Sequence, residues 1–141
     1  MIAIRKYKHR DQEQIKNLIY SVLKAIFHST PKGLEDLNNI EKNFEKFWIA
    51  EEKGKIIGVI GFKIKKEEAR ISRMYVKKEF RERKIGKLLM NNLLGYCKKR
   101  GFRKIFLTTY KQMNSEKFYK KMGFKTTKKK DDIIFMEKLL V

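Results

Sequence analysis

Four basic side chains, Arg81, Arg83, Lys84 and Lys87, surround Gly86 in the run Met74-Tyr-Val-Lys-Lys-Glu-Phe-Arg81-Glu-Arg-Lys-Ile-Gly86-Lys-Leu-Leu. The run passes from a strand-like pattern to a helical one, so this basic turn stands at the start of a helix. First-turn amides without acceptors and the positive end of the helix dipole make such a turn a phosphate site. Gly86, with no side chain, lets an anion or a backbone approach closely. One glycine among basic residues reads equally as the solvated start of a basic helix. The single Cys97 shares an apolar helix face with Leu89 and Leu93 and reads as core. It has no internal disulfide partner, which fits a reducing cytoplasm. Neither Cys97 nor His9 and His28 stands in metal-ligand spacing, so no metal is expected.

The elements that must position this turn follow from periodicity. Ile2 to Tyr7 alternates as a short first strand. Asp11 can cap a helix, with Gln14 as capping-box partner. That helix places Ile15, Leu18, Ile19, Val22, Leu23, Ile26 and Phe27 on one face, and Pro31 and Gly33 break it. Leu34 to Phe44 reads as a second, shorter helix. Phe47–Glu51 and Lys55–Ile64 predict a hairpin joined at Glu52-Lys-Gly54, and Ala69–Val76 a fourth strand, antiparallel to the third. A helix from Ile85, stopped at Gly101, leads to a fifth strand, Lys104–Thr109, which that crossover makes parallel to the fourth. A short helix from Ser115 to Met122 ends at Gly123. Phe124–Thr127 and Ile133–Glu137 close the chain as a hairpin around Lys128 to Asp132. The sum is an α+β fold: a mixed, mainly antiparallel central sheet with flanking helices, in a single domain over 1–141.

Composition narrows the class. The 141 residues carry 36 Lys plus Arg against 16 Asp plus Glu, a net charge of +20, yet 42% are hydrophobic and 12% aromatic. A disordered polybasic tail lacks that apolar content. No apolar stretch approaches the roughly 20 residues of a membrane span, and the start has no signal-peptide pattern, so a soluble cytoplasmic protein without membrane association is expected. From Lys77 to Lys130 there are 19 basic residues and three acidic ones, Glu79, Glu82 and Glu116; Leu34 to Glu52 holds six acids against Lys42 and Lys46. Such a lopsided charge suits polyanions, whether nucleic acid or a phosphorylated cofactor, and a solvated lysine-rich surface explains part of it.

Arg81-x-x-Lys84-Ile85-Gly86 after Met74-Tyr-Val76 resembles the Arg/Gln-x-x-Gly-x-Gly/Ala motif of the GNAT acetyltransferase superfamily. Phe118-Tyr-Lys-Lys-Met-Gly-Phe124 resembles its second signature, Phe-Tyr-x-x-x-Gly-Phe, and Phe47-Trp-Ile-Ala-Glu-Glu followed by Gly54-Lys-Ile-Ile-Gly58 the hairpin before the first motif. The likeness spans Ile2 to Leu140. Three positions depart from the pattern. Lys84 stands where the first glycine is usual, with a helical conformation expected for it. Gln112 and Ser115 replace Asn and Ala. Thr108 occupies a strand-five place that is often acidic.

The resemblance implies a sheet whose parallel strands four and five splay apart, and an acetyl-CoA-dependent N-acetyltransferase acting on a primary amine by direct attack in a ternary complex. It implies that Met74, Tyr75 and Val76 meet the pantetheine arm of the cosubstrate. The turn Arg81, Glu82, Arg83, Lys84, Ile85, Gly86 and Lys87 would hold its pyrophosphate, and Gln112 and Asn114 would complete the binding set. Tyr119 matches the family's general acid, which returns a proton to the leaving thiolate. The base is unassigned among water, Glu51, Glu52, Glu68 and His28. In the family, the first two helices and the last hairpin border the acceptor pocket. The acids Glu35, Asp36 and Glu41 there suggest a cationic small molecule, with a protein amine as the other acceptor. A basic nucleic-acid-binding module and a non-catalytic acetyl-CoA-binding domain are the alternatives, and a homodimer is compatible with the family.

Overall fold

The computed structural model describes residues 1–140; Val141 and the side chain of Glu82 lie outside the described residues. Seven strands form one sheet in the order β1-β2-β3-β4-β5-β7-β6. They are β1 (Ile2–Lys6), β2 (Lys46–Glu52), β3 (Lys55–Lys65), β4 (Glu68–Val76), β5 (Lys104–Tyr110), β6 (Lys125–Lys130) and β7 (Ile133–Leu139). The helices are α1 (Gln12–Phe27), α2 (Ile40–Asn43), α3 (Ile85–Lys99) and α4 (Glu116–Lys121). Every neighbouring pair of strands is antiparallel except β4 and β5, which are parallel.

Strand alternation sends side chains to two cores. Phe47 and Ile49 of β2 pack with Val59 under Ile15, Leu18, Ile19 and Val22 of α1. Trp48 and Ala50 face the other way, with Ile60 and Phe62, onto Ile85, Leu89, Met90, Leu93 and Cys97 of α3. The period of two in the strands and of 3.6 in the helices therefore yields a three-layer arrangement. Gly61 has no Cβ because one would stand 2.5 Å from the Phe47 ring. At the end of α3, Gly101 at φ 83 donates to the Lys98 carbonyl at 3.1 Å, and Phe102 to that of Cys97 at 3.1 Å. This is the Schellman stop expected of a glycine at that place.

Several local expectations are corrected. Asp11 does not cap α1: its carboxylate accepts from the Lys8 amide at 2.8 Å and from Arg5 Nη1 and Nη2 at 2.9 Å each, and Gln14 Oε1 accepts from the Ile56 amide. The second helix is two pieces, a 3-10 turn over Glu35–Asn38 and the single turn α2, divided by Asn39 at φ −149, ψ 84. Asn39 breaks the helix because its side chain accepts from the Lys42 amide at 3.0 Å and caps the new turn. The last hairpin is tighter than expected: Lys128, Lys129 and Lys130 pair with Phe135, Ile134 and Ile133, leaving Asp131-Asp132 as the turn. Lysines suit this strand because it is a solvated sheet edge.

Candidate functional site

The parallel pairing of β4 with β5 covers only Ala69 with Ile105 and Arg70 with Phe106. Beyond it the strands part, while β4 stays paired to β3 through Val76–Gly58, Tyr75–Val59 and Met74–Ile60. The other edge of Met74–Val76 thus faces the gap with its backbone unpaired to β5. A bulge opens the gap: β4 spends two residues, Ser72 and Arg73, where β3 spends Gly61, and Arg73 takes φ 77. A non-glycine residue holds that conformation only when its surroundings compensate. Here they do. Arg73 Nε donates to Asp36 Oδ2 at 3.1 Å, and Nη2 donates to Asp36 Oδ1 at 2.8 Å and to the Gly33 carbonyl at 2.7 Å. Lys63 Nζ adds a bond to Asp36 at 3.3 Å. Burial alone would raise the Asp36 carboxyl, but the Arg73 hydrogen bonds and the charges of Arg73 and Lys63 outweigh it and hold it below the usual carboxylate range.

Two cavities open from the gap. One, of about 710 Å³, is lined by Met74, Tyr75, Val76, Arg81, Lys84, Gly86, Lys87, Asn114, Phe118 and Tyr119, among others. The second, of about 750 Å³, lies on the α1 side and includes Phe27, Ser29, Thr30, Lys32, Arg73, Thr108 and Tyr110. Met74, Tyr75, Met113 and Tyr119 line both, so the two cavities meet there. Among the described residues lining them there is no Asp, Glu or His.

Tyr119 is placed by local backbone chemistry. At the end of α4 the Gly123 amide, at φ 94, donates to the Lys120 carbonyl, and the Phe124 amide donates to that of Tyr119, each at 3.0 Å. This second Schellman turn brings Phe124 against Tyr119, ring centroids 5.8 Å apart and edge-on. The Phe-Tyr-x-x-x-Gly-Phe pattern is therefore a helix stop that fixes one tyrosine. That tyrosine is 7% exposed, and its hydroxyl donates to Met74 Sδ at 3.7 Å. Burial, with a smaller contribution from Tyr75, pushes its phenol well above the ordinary tyrosine value, so it stays protonated.

The basic turn divides by direction. Arg81, Lys84, Gly86 and Lys87 face the first cavity; Arg81 also braces the Val76 carbonyl at 3.2 Å through Nε. The first-turn amides of α3, those of Ile85, Gly86 and Lys87, are the donors a helix leaves free of intrahelical acceptors. A Cβ on Gly86 would stand 3.4 Å from the Phe118 ring and 3.5 Å from Met74 Cε, so the turn sits close over both. Lys84 is not helical as expected: it takes φ 60, ψ 23, the left-handed conformation for which glycine is suited. Arg83 turns away to Glu52, with bonds of 2.9 and 2.6 Å, and Ile85 is fully buried in the core. Gln112 donates to Asp132 Oδ2 at 2.9 Å and does not line the cavity, whereas Asn114 does. The side chain of Glu82 lies outside the described residues.

The groups considered as base are committed elsewhere. Glu51 accepts from Arg5, Glu52 from Arg83, and Glu68 pairs with Lys104 at 3.0 Å. Neither they nor His28 line the two cavities. The acidic segment expected to draw in a cationic amine also falls short: Asp36 is neutralised behind Arg73, and Glu35 and Glu41 do not line the second cavity. Arg73 and Met113 are the residues that sequence reasoning missed. A lone Arg inside a strand pattern carries no local sign of a bulge, and its partner Asp36 is 37 positions away.

Comparison with known proteins agrees with this geometry. The model of the "Acetyltransferase (GNAT) family" matches residues 13–124. A probable N-acetyltransferase, camello, of Xenopus tropicalis is 28% identical over 103 residues, which are 67% of this chain and 47% of that protein. The chain thus spans about half the length of the curated relatives it matches. An acetyltransferase of the GNAT family from Staphylococcus aureus Mu50 superposes with a TM-score of 0.91 at 28% identity, covering 100% of both chains. The PaiA N-acetyltransferase from Thermoplasma acidophilum, solved in complex with coenzyme A, shares the fold with a TM-score of 0.85 at 24% identity over 99% of each chain.

Proposed function

The chain belongs to the GNAT acetyltransferase family, and from that premise we propose that it transfers an acetyl group from acetyl-CoA to a primary amine by direct attack. The observation that carries this reading is the junction of the two cavities at Met74, Tyr75 and Tyr119, one of them running to the start of α3. A thioester and an amine entering from opposite cavities meet at a protonated phenol.

The residues present fit acetyl-CoA. The unpaired edge of Met74–Val76 offers main-chain groups to the amides of an extended pantetheine arm. The α3 amides of Ile85, Gly86 and Lys87, with Arg81, Lys84 and Lys87 around them, suit a pyrophosphate. Asn114 lines the same cavity near Tyr119. When bound, the cosubstrate supplies the activated acetyl carbon. A β4 backbone N–H polarises its carbonyl, and preorganised donors of this kind act strongly away from water. The amine attacks in its neutral form. A C–N bond forms, the C–S bond breaks, and Tyr119 supplies the proton that the departing thiolate requires. No carboxylate or imidazole among the described residues lines the cavities, so the amine loses its protons to solvent.

Calorimetric titration with acetyl-CoA at two salt concentrations, followed by thiol-release assays on a panel of primary amines, tests the reading. One-to-one saturable binding with turnover supports it. Absence of binding at both salts overturns it, and binding without turnover of any amine replaces it with a non-catalytic cofactor-binding domain.

A further inference from the structure

Resting on the acetyl-transfer reading, we propose that the acceptor amine carries an anionic group, carboxylate or phosphate, held by Arg73 with Lys32 at the rim of the second cavity. Arg73 and Lys32 are the charged residues lining that cavity, and no Asp or Glu among the described residues opposes them there. Asp36, behind Arg73, carries one negative charge against both Arg73 and Lys63. The Arg73–Asp36–Lys63 cluster behind the wall therefore keeps a net positive charge, and Lys32 adds its own on the lining.

The donor count of Arg73 shows which of its N–H groups are left for a ligand. A guanidinium has five N–H groups in a fixed plane. Nε and both hydrogens of Nη2 are taken by Asp36 and the Gly33 carbonyl. Nη1 has only a contact of 3.5 Å to the Tyr75 hydroxyl, longer than an ordinary N–H···O bond. The Arg73 side chain as a whole is 16% exposed, so it is largely removed from bulk water. Asp36 fixes the plane of the group in advance, and a planar, pre-oriented guanidinium is well matched to carboxylate or phosphate oxygens. Arg73 is also next in sequence to Met74, whose sulfur receives the Tyr119 hydroxyl. A ligand anchored on Nη1 by its anionic end is therefore held beside the reacting centre. Lys32, exposed on the loop after α1, adds long-range attraction at the entrance.

The test compares ω-amino acids with their carboxamides and with the diamines of equal length, together with ω-aminoalkyl phosphates, each kcat/KM being expressed per neutral amine because the amines differ in basicity. The carboxylate or phosphate member should show kcat/KM about tenfold or more above its neutral counterpart, and the diamine should be poorest. The better of the two anionic series identifies the group. Arg73→Gln should bring the anionic and neutral rates within about twofold of each other. Because Arg73 also braces the bulge, Lys32→Glu supplies the second variant: it should raise KM for the anionic series about threefold with kcat unchanged, more at low salt than at high. Equal or better turnover of the neutral or cationic members overturns the proposal, as does absence of turnover of every anionic member. Calorimetric binding of acetyl-CoA, measured on the same samples, separates either failure from failure of the acetyl-transfer reading.

Discussion

Replacing Lys84 by glycine should make the protein more stable and its cosubstrate site weaker. Lys84 sits at φ 60, ψ 23 immediately before α3. A left-handed conformation costs an L-residue about 1–2 kcal/mol, and glycine escapes it but gives back about 0.4–1 kcal/mol through its freer unfolded chain. A cation at the positive end of a helix adds a penalty of about 0.3–1 kcal/mol, and the first turn of α3 holds no acid to offset it. The net gain for Lys84→Gly is therefore about 1 kcal/mol, or about 3 °C in Tm for a domain of this size. Lys84→Ala is the control: it removes the charge and keeps the strained conformation, so it should recover only the charge part. Urea unfolding with unchanged slope gives the stabilities. Both variants should weaken acetyl-CoA binding to a similar extent, about two- to fivefold at low salt and less at high salt, because Lys84 lines the cavity. Equal stabilities of the glycine and alanine variants would refute the argument from strain.

Tyr119→Phe retains the ring packing against Phe118 and Phe124 and removes a hydroxyl bonded to Met74 Sδ; kcat should fall about 100-fold with KM for acetyl-CoA within about twofold, as steady-state thiol release would show. With an acceptor that has no group titrating there itself, the pH dependence of kcat/KM should rise with slope one until the amine is neutral, without an inflection at carboxylate or imidazole values, since no such group among the described residues lines the cavities. Because burial raises the Tyr119 phenol, it remains protonated on the alkaline side, and a falling limb should come only above the ordinary tyrosine value. Asp36→Asn should destabilise the fold by about 1–3 kcal/mol at neutral pH, by leaving Arg73 without its ionic partner. The wild-type carboxyl is depressed in the folded state, so its contribution is complete above about pH 4 and is lost as pH falls through its lower native value. Acid unfolding curves of the two proteins should therefore converge below that pH.

How much of this was legible in the sequence depended on the range of the interactions. Alternation in Phe47–Ala50 and the 3.6 period of α1 and α3 report directly on the two cores, because each side chain's face is set by its own backbone. The Gly101 and Gly123 stops were equally local, and the second carried Tyr119 with it. What escaped was set by side-chain partners that periodicity does not report, some near in sequence and some remote. Asp11 has every mark of a helix cap, yet Arg5 and the Lys8 amide, six and three positions before it, claim its carboxylate. The acids of the second-helix segment look free to attract cations, yet Asp36 is closed off by Arg73 and Lys63. Arg83 stands beside Lys84 in the basic turn, but Glu52, from β2, points it away from the cavity. Lys84 lay between the two cases: the missing glycine was visible, but its backbone conformation was not.

The Arg73 bulge has one more effect, on the timing of ligand entry. Adjacent parallel strands with continuous backbones would ordinarily extend their pairing from Ala69–Ile105 and Arg70–Phe106 residue by residue, closing the sheet along its whole length. The extra residue in β4, locked to Asp36 and Gly33, acts as a stop on that zipper. A ligand entering that gap would therefore not need to prise two strands apart before it seats.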